Sequence, residues 1–371
     1  MSILCSNEKG WVISHYDYSK NLYRNVHSPT GIIDLNYNKN LFKITTPFMR
    51  DQEAEKLASF LSCDSSLRKV RKRRRLASND VEVQLVQKAL GSLLKEARNN
   101  SNFQLSVTHF DILENNATAR NFVNEFYESQ KEGENMKEYG LLKGANVISS
   151  PQVVEINNKP YVIPPYSNFI RCNLNELDEK DKKFDFILLD PPWWNKHVRR
   201  KKKNNCCEGY EMMRDDDILN IPIRTYLEET GLVGIWCTNG SSHINSIKQN
   251  YFPHWGLEYV ATWFWIKVTE SGEPVCSFTN SNGKKPYERI IFGASQKRHF
   301  KNPEESKYFL SVPSALHSHK PPLTDILKDY LPENVKCLEL FARYLLPGWT
   351  SVGNEVILLQ SLSLFEQTGV A

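Results

Sequence analysis

Four consecutive residues, Asp190-Pro191-Pro192-Trp193, set an acid and a large aromatic on either side of two rigid prolines. They follow Phe184-Asp185-Phe186-Ile187-Leu188-Leu189, a short apolar run that reads as a buried strand. Proline cannot continue a hydrogen-bonded ladder, so the strand ends there and presents the Asp190 carboxylate at the sheet edge. In open α/β sheets ligands bind at that edge, outside the carboxyl ends of the strands. Asp190 and the Pro191 carbonyl offer two acceptors whose separation proline fixes, and Trp193 offers a π-face. Two acceptors beside a stacking surface suit the exocyclic NH2 of a nucleobase. The plainer reading is a strand-ending proline turn with a tryptophan in the core. The acid, the prolines and the aromatic together favour the site.

The elements that must position this tetrapeptide are legible as alternating patterns. Strand-like runs occur at Phe184 to Leu189, Leu232 to Cys237, Tyr259 to Val268, Glu288 to Phe292, Tyr308 to Val312, Cys337 to Phe341 and Val356 to Gln360. Helical patterns separate some of them, at Ser242 to Tyr251 and Pro322 to Tyr330, and Asp215-Asp216-Asp217 opens another. Such alternation indicates an α/β fold with a doubly wound, mostly parallel sheet over 167–363. Residues 1–150 read as a smaller mixed α+β region, with a few short strands, then helices at Gln52 to Leu61, Val81 to Leu94 and Arg120 to Glu132. The segment 151–166 reads as an extended, proline-rich linker, and 364–371 as a tail.

Composition narrows the class. The chain has 371 residues, 40% apolar, enough for one large domain and a smaller region. It has no apolar run long enough for a membrane span and starts without a signal-peptide core. Eight scattered cysteines without a Cys-x-x-Cys pair read as free thiols in a reducing compartment. His317 and His319 lack carboxylate or cysteine partners in sequence, so no metal is expected. Net charge is only +4, but it is concentrated: Arg68 to Arg75 form one basic block, and Lys196, Arg199, Arg200, Lys201, Lys202 and Lys203 form another just past Trp193. Blocks of this kind are solvated segments that contact polyanions.

Further strings follow in order: Asn195-Lys196, Lys284-Lys285-Pro286-Tyr287-Glu288, Ser318-His319-Lys320-Pro321, Glu339-Leu340-Phe341-Ala342-Arg343, Pro347-Gly348-Trp349-Thr350-Ser351 and Gly353-Asn354-Glu355. With Asp-Pro-Pro-Trp they resemble the MTA-70-like adenine N6-methyltransferases over roughly residues 165 to 360. The resemblance implies a permuted Rossmann-like methyltransferase sheet, in which the cofactor strand ending at Phe341 comes after the catalytic strand. It implies S-adenosylmethionine as cofactor, held by Cys172, Asn173, Asp190, Lys320, Phe341, Arg343, Asn354 and Glu355. It implies Asp190, Pro191, Pro192 and Trp193 as the catalytic set, with Trp193, Trp194, Lys196, Arg199, Arg200, Tyr210 and Glu288 facing the nucleic acid. RNA is the implied partner, in particular a 2′-O-methylated adenosine of U2-type small nuclear RNA, with DNA adenine as the rival. A catalytically inactive nucleic-acid-binding subunit is the reading from another class. The implied setting is a monomer in the nucleus, with cytosol and mitochondrion as alternatives and no membrane.

Each role has a chemical reason. The adenine 6-amino lone pair is delocalised into the ring, and acceptors for both its N–H groups favour localising it, which is electrostatic preorganisation. Lys320 is a point cation suited to a carboxylate, and Asp190 can also accept from an ammonium. Asn354 and Glu355 suit a ribose diol. Arg343 as a surface residue and Phe341 as a core residue are the plainer readings. The sequence departs from the family where Asn173 stands for an acid and where Trp194 and Tyr344 replace polar residues.

Overall fold

Alternation along β9 (Phe184–Leu189) sets the centre of the fold. Phe186 and Leu188 enter one apolar layer, and Ile187 and Leu189 enter the other. A strand covered on both faces has no polar side to spare, which is why it is apolar without a break from Phe186 to Leu189. The computed structural model describes residues 2–48, 81–99, 116–131, 140–179, 181–194, 212–278 and 284–370. Within them β9 lies inside a mixed eleven-stranded sheet. Its order is β1 (Ile3–Asn7), β2 (Gly10–Ile13), β13 (Tyr308–Ser311), β11 (Leu257–Lys267), β12 (Tyr287–Ser295), β10 (Leu227–Cys237), β9, β14 (Cys337–Leu340), β15 (Trp349–Val352), β8 (Asn168–Arg171) and β5 (Leu142–Ala145).

Five neighbours, β10, β9, β14, β15 and β8, all run parallel to one another. Leu189 lies opposite both Ile235 and Leu340, Leu340 opposite Val352, and Val352 opposite Ile170. The five carboxyl ends are therefore nearly flush. Asp190, Phe341, Gly353 and Arg171 stand in one row at that edge, and the row continues into Cys172 and Asn173. The parallel register alone gathers residues far apart in sequence.

The sheet is mostly parallel, as the sequence pattern suggests, though four of its ten strand pairings are antiparallel. β2 and β13, and β13 and β11, are also parallel, but β1–β2, β11–β12, β12–β10 and β5–β8 are antiparallel. Antiparallel neighbours carry the same alternating burial as parallel ones, so their direction is invisible to periodicity. The expected strand at Val356 to Gln360 is instead a buried turn ending in a 3-10 helix, Leu358–Gln360. The strand lies earlier, at β15, whose Thr350 and Ser351 hide it from an apolar count.

Strand pairing also crosses the expected region boundaries. β2 completes the large sheet beside β13. A five-stranded sheet joins β16 (Phe365–Val370), β4 (Gly31–Tyr37), β3 (Val26–Ser28), β6 (Gln152–Ile156) and β7 (Lys159–Ile163). The expected linker is thus the β6–β7 hairpin, turned by Asn157 and Asn158 in the left-handed region, which asparagine tolerates. The expected tail is a strand paired with β4. Two helices of the amino-terminal part, α1 (His15–Leu22) and α2 (Val81–Asn99), pack on these sheets, and α3 (Ala117–Lys131) packs on the 3-10 turn Lys39–Phe42. Val83, Val86, Leu90, Leu93 and Ala97 recur at helical spacing and seat α2 on Val12, Phe264, Ile266 and Tyr308. The expected helix at Gln52 to Leu61 and the block at Arg68 to Arg75 lie outside the described residues.

Gly10 is the residue that makes the β2–β13 junction possible. Its φ is +149°, and a Cβ there would sit 1.8 Å from the Tyr308 carbonyl oxygen. Gly10→Ala is expected to force β2 off β13 and cost about 1–3 kcal/mol, the usual range for overpacking. Urea unfolding with amide exchange at Trp11 and Val12 checks this; unchanged stability and protection would place the constraint elsewhere.

Candidate functional site

Asp190 ends β9, and its backbone N–H still reaches the Leu340 carbonyl at 3.3 Å. Its carboxylate is partly exposed at the flush edge. Ser318 Oγ donates to Asp190 Oδ2 at 2.6 Å, and Lys320 Nζ lies 3.2 Å from the same oxygen. Lys320 also contacts Glu288 Oε2 at 3.0 Å and donates to Ser318 Oγ at 3.2 Å. Glu288 Oε1 is bonded to Lys267 Nζ in turn. A row of alternating charge, Lys267–Glu288–Lys320–Asp190, thus crosses the edge from β11 through β12 to β9. Lys320 sits 5.3 Å from the Trp236 ring centroid and Lys267 4.3 Å from that of Trp265, distances at which an aromatic face attracts a cation.

Burial alone would discharge these groups, but their partners outweigh it. Burial raises the Glu288 carboxyl, yet Lys267 and Lys320 hold it well below the usual carboxylate range. Burial lowers the Lys320 ammonium, yet Asp190 and Glu288 hold it above its ordinary value. Glu339 is the exception. It occupies β14, 4% exposed, and its Oε2 has no hydrogen-bond partner among the described residues. Burial, with the Asp190 charge adding to it, pushes its carboxyl up to about 8, against the pull of Lys320.

A second cluster lies where β14 and β15 turn away from the sheet. Arg343 Nη2 pairs with Glu355 Oε2 at 2.8 Å, and Nη1 donates to the His317 carbonyl at 2.6 Å. Burial, then Arg343 and Lys320, push the His317 imidazole down, which keeps it neutral near pH 7. Phe341 (φ 65°) and Ser318 (φ 58°) both adopt the left-handed region. A bulky residue held there marks a turn imposed by its surroundings, of the kind that collects at ligand sites. Gly353 meets that turn closely, since a Cβ would lie 2.6 Å from the Ala342 carbonyl oxygen. Asn354 and Asn173 are exposed, and Cys172 is buried beside them at the β8 end. Burial raises the Cys172 thiol, which disfavours the nucleophilic thiolate.

The structure corrects one assignment in the tetrapeptide. Trp193 is not an open stacking platform but 8% exposed, part of the apolar layer behind the edge. Its indole N–H donates to the Trp236 carbonyl at 3.0 Å, and its ring packs 4.8 Å from His243. The plainer reading of a core tryptophan is the one observed. The Pro191 carbonyl already accepts from Trp193 N–H at 2.8 Å, and the Pro192 carbonyl from Met213 N–H at 3.0 Å. A carbonyl has two lone pairs, so Pro191 keeps one for a ligand. Trp194, by contrast, is only partly buried. Lys196, Arg199, Arg200 and Tyr210 lie outside the described residues.

Asp190, Lys320 and Glu288 are therefore brought into one contact network, and Arg343 and Glu355 into another on the same edge. Ser318, Lys267 and Glu339 take part without having been singled out from sequence. Ser318 had a signal, two residues before Lys320. Lys267 had none, because only the β11–β12 register sets Ile266 opposite Tyr287 and so brings Lys267 near Glu288. Among the described residues no group of three or more His, Cys, Asp or Glu is placed to hold a metal, and no helix is long and apolar enough to cross a membrane.

Comparison with known proteins agrees with this geometry. Residues 184–355 match the MT-A70 family model, a span that contains the Asp190 network and the Arg343–Glu355 pair. The chain is 37% identical over 233 residues to the N(6)-adenine-specific methyltransferase METTL4 of Mus musculus, covering 59% of this chain and 48% of that protein. It is 37% identical over 223 residues to a DNA N6-methyl methyltransferase of Caenorhabditis elegans, covering 58% of each. It is 39% identical over 180 residues to the N6-methyladenosine RNA methyltransferase MTA1 of Cryphonectria parasitica, covering 48% of this chain and 53% of that one. The chain spans about half the length of the curated relatives it matches.

Glu339 gives a pH test of the edge. Its carboxyl is raised in the fold from 4.5 to about 8. Its contribution is therefore fully present below about pH 4.5 and lost as pH rises towards about 8. Glu339→Gln should gain on the parent over that window, by up to a few kcal/mol at about 1.4 kcal/mol per unit. Thermal melts of both proteins at intervals between pH 5 and pH 9 read this directly; a constant difference would mean that Glu339 ionises as in water.

Proposed function

We propose that this chain, which carries an MT-A70 domain over residues 184–355, transfers a methyl group from S-adenosylmethionine to the 6-amino nitrogen of adenine in nucleic acid. The observation that carries the reading is the Asp190 carboxylate, held by Lys320 and Ser318 where β14 and β15 also end. The strand order supports a permuted Rossmann-like arrangement, in which β14 is the cofactor strand and comes after catalytic β9 in the chain.

The residues present fit the cofactor. Lys320 and Asp190, opposite charges 3.2 Å apart, suit the carboxylate and ammonium of an amino-acid end. Exposed Asn354, with Glu355 beside it, offers acceptors for a ribose diol. Asn173 at the β8 end offers an amide in place of the family's acid. S-adenosylmethionine supplies an already activated methyl, so the protein needs no covalent nucleophile. Asp190 and the free lone pair of Pro191 accept from the adenine amino group and localise its lone pair. Asp190 is also the base nearest to the proton that leaves after transfer. Buried Trp193 holds the proline turn rigid by tying it to β10.

RNA is the substrate we favour, a 2′-O-methylated adenosine of U2-type small nuclear RNA, with DNA adenine as the rival and both types of name among the relatives. Retention of Asp190, Lys320 and Asn354 together argues against an inactive binding subunit. Asp190→Ala is expected to keep the fold and lose about 10²–10³ in rate, as removal of a preorganised electrostatic group does. Mass spectrometry of methylated nucleosides, after incubation with defined RNA and DNA oligomers, measures both the rate and the substrate. More than a tenth of the parent rate would exclude this role for Asp190.

The basic run Arg199 to Lys203 follows the tetrapeptide closely in sequence. Replacing its five cations with glutamine should weaken oligonucleotide binding and leave cofactor affinity unchanged. If all five meet a single strand, the slope of log affinity against log salt should become shallower by about 0.7 for each phosphate that is no longer neutralised. Equal slopes would make the run bystander surface.

A further inference from the structure

Lys320 has no donor to spare. An ammonium offers three N–H groups, and three oxygens surround this one: Asp190 Oδ2 at 3.2 Å, Glu288 Oε2 at 3.0 Å and Ser318 Oγ at 3.2 Å. A ligand carboxylate that binds Lys320 must displace one of them. Asp190 and Ser318 are tied to each other at 2.6 Å, and Asp190 is anchored at the rigid end of β9. Of the three, only Glu288 is bonded to a second cation, Lys267, through its other oxygen. Its side chain is 31% exposed, so water can take the vacated place, whereas Lys320 is 11% exposed and seated on Trp236.

We propose that Glu288 and the cofactor's carboxylate compete for Lys320, and that Lys267 sets the outcome by holding Glu288 aside. Lys267 and Glu288 are then positioning residues that tune cofactor affinity without touching the reacting atoms. The inference rests on the reading that Lys320 receives the amino-acid end of S-adenosylmethionine. It goes beyond that reading by assigning Lys267 a part and by giving Glu288 an opposing sign: removing its charge should help the cofactor bind. A glutamine keeps an acceptor at that place but competes without charge.

Calorimetric titration of the full chain with S-adenosylhomocysteine, and with 5′-methylthioadenosine, which lacks the amino-acid end, tests this. Glu288→Gln should bind S-adenosylhomocysteine about fivefold tighter or more, the lower end of ordinary coupling between sites, with 5′-methylthioadenosine unchanged. Lys267→Met should bind S-adenosylhomocysteine weaker by a similar factor, again with 5′-methylthioadenosine unchanged. The double variant should behave as Glu288→Gln, because Lys267 acts only through Glu288. Any of three results overturns the proposal: no gain in Glu288→Gln, equal shifts for both ligands, or a double variant that departs from Glu288→Gln. A parent chain that binds neither ligand takes the cofactor reading down as well. A parent that binds both, with an unchanged ratio in every variant, takes down this inference alone.

Discussion

One buried ammonium organises the edge of this molecule. Lys320 neutralises Asp190 and Glu288 at once, and together with Lys267 it holds the Glu288 carboxyl below the usual carboxylate range against burial. Charged groups out of water persist only when paired and hydrogen-bonded. Here each pair is completed by a further partner, Ser318 on one side and Lys267 on the other. The network is also why the loop carrying Ser318 accepts a left-handed residue, since that turn aims both Ser318 and Lys320 at Asp190. Each acid of the row therefore keeps a second partner when one link is broken.

The network can exist only because five parallel strands end level. Parallel strands require crossover connections, so residues on neighbouring strands are far apart in the chain. Leu189 and Leu340 are opposite each other across the β9–β14 pair, and Val352 lies opposite Ile170 across β15–β8. The tetrapeptide and the turn after β14 thus meet through register, not through sequence proximity. Glu339 marks the cost of this arrangement: alternation along β14 turns a carboxyl into the interior, where it lacks a full set of partners.

Much of this frame was legible in the sequence, and the failures have physical causes. β9 to β14 declared themselves as largely apolar runs, because burial on both faces leaves room for few polar residues. β15 did not, because Thr350 and Ser351 sit in the middle of a four-residue strand. Val356 to Gln360 looked like a strand because buried turns need apolar residues as much as strands do. Asp190, Lys320 and Glu288 were read as site residues, and the structure places them in contact. Trp193 was read for its ring, although a residue so soon past a strand end can as easily turn inward, and Trp236 offers its indole a carbonyl. Lys267 was unreadable because its partner is 21 positions away on a strand whose direction the pattern does not reveal.

The junction at Gly10 has a consequence for how the chain comes into being. β2 finds its neighbour in β13, and Ser2 bonds Asp325, 323 positions further on. During synthesis the β1–β2 hairpin emerges well before β13, and its inner edge has no partner strand until residues 308–311 have left the ribosome. At about 5–20 residues per second that interval is on the order of tens of seconds. An unpaired edge is a template for pairing with other chains. A hairpin made long before its partner strand is therefore among the last parts of this sheet to be finished, and it leans on whatever shields nascent strands in the meantime.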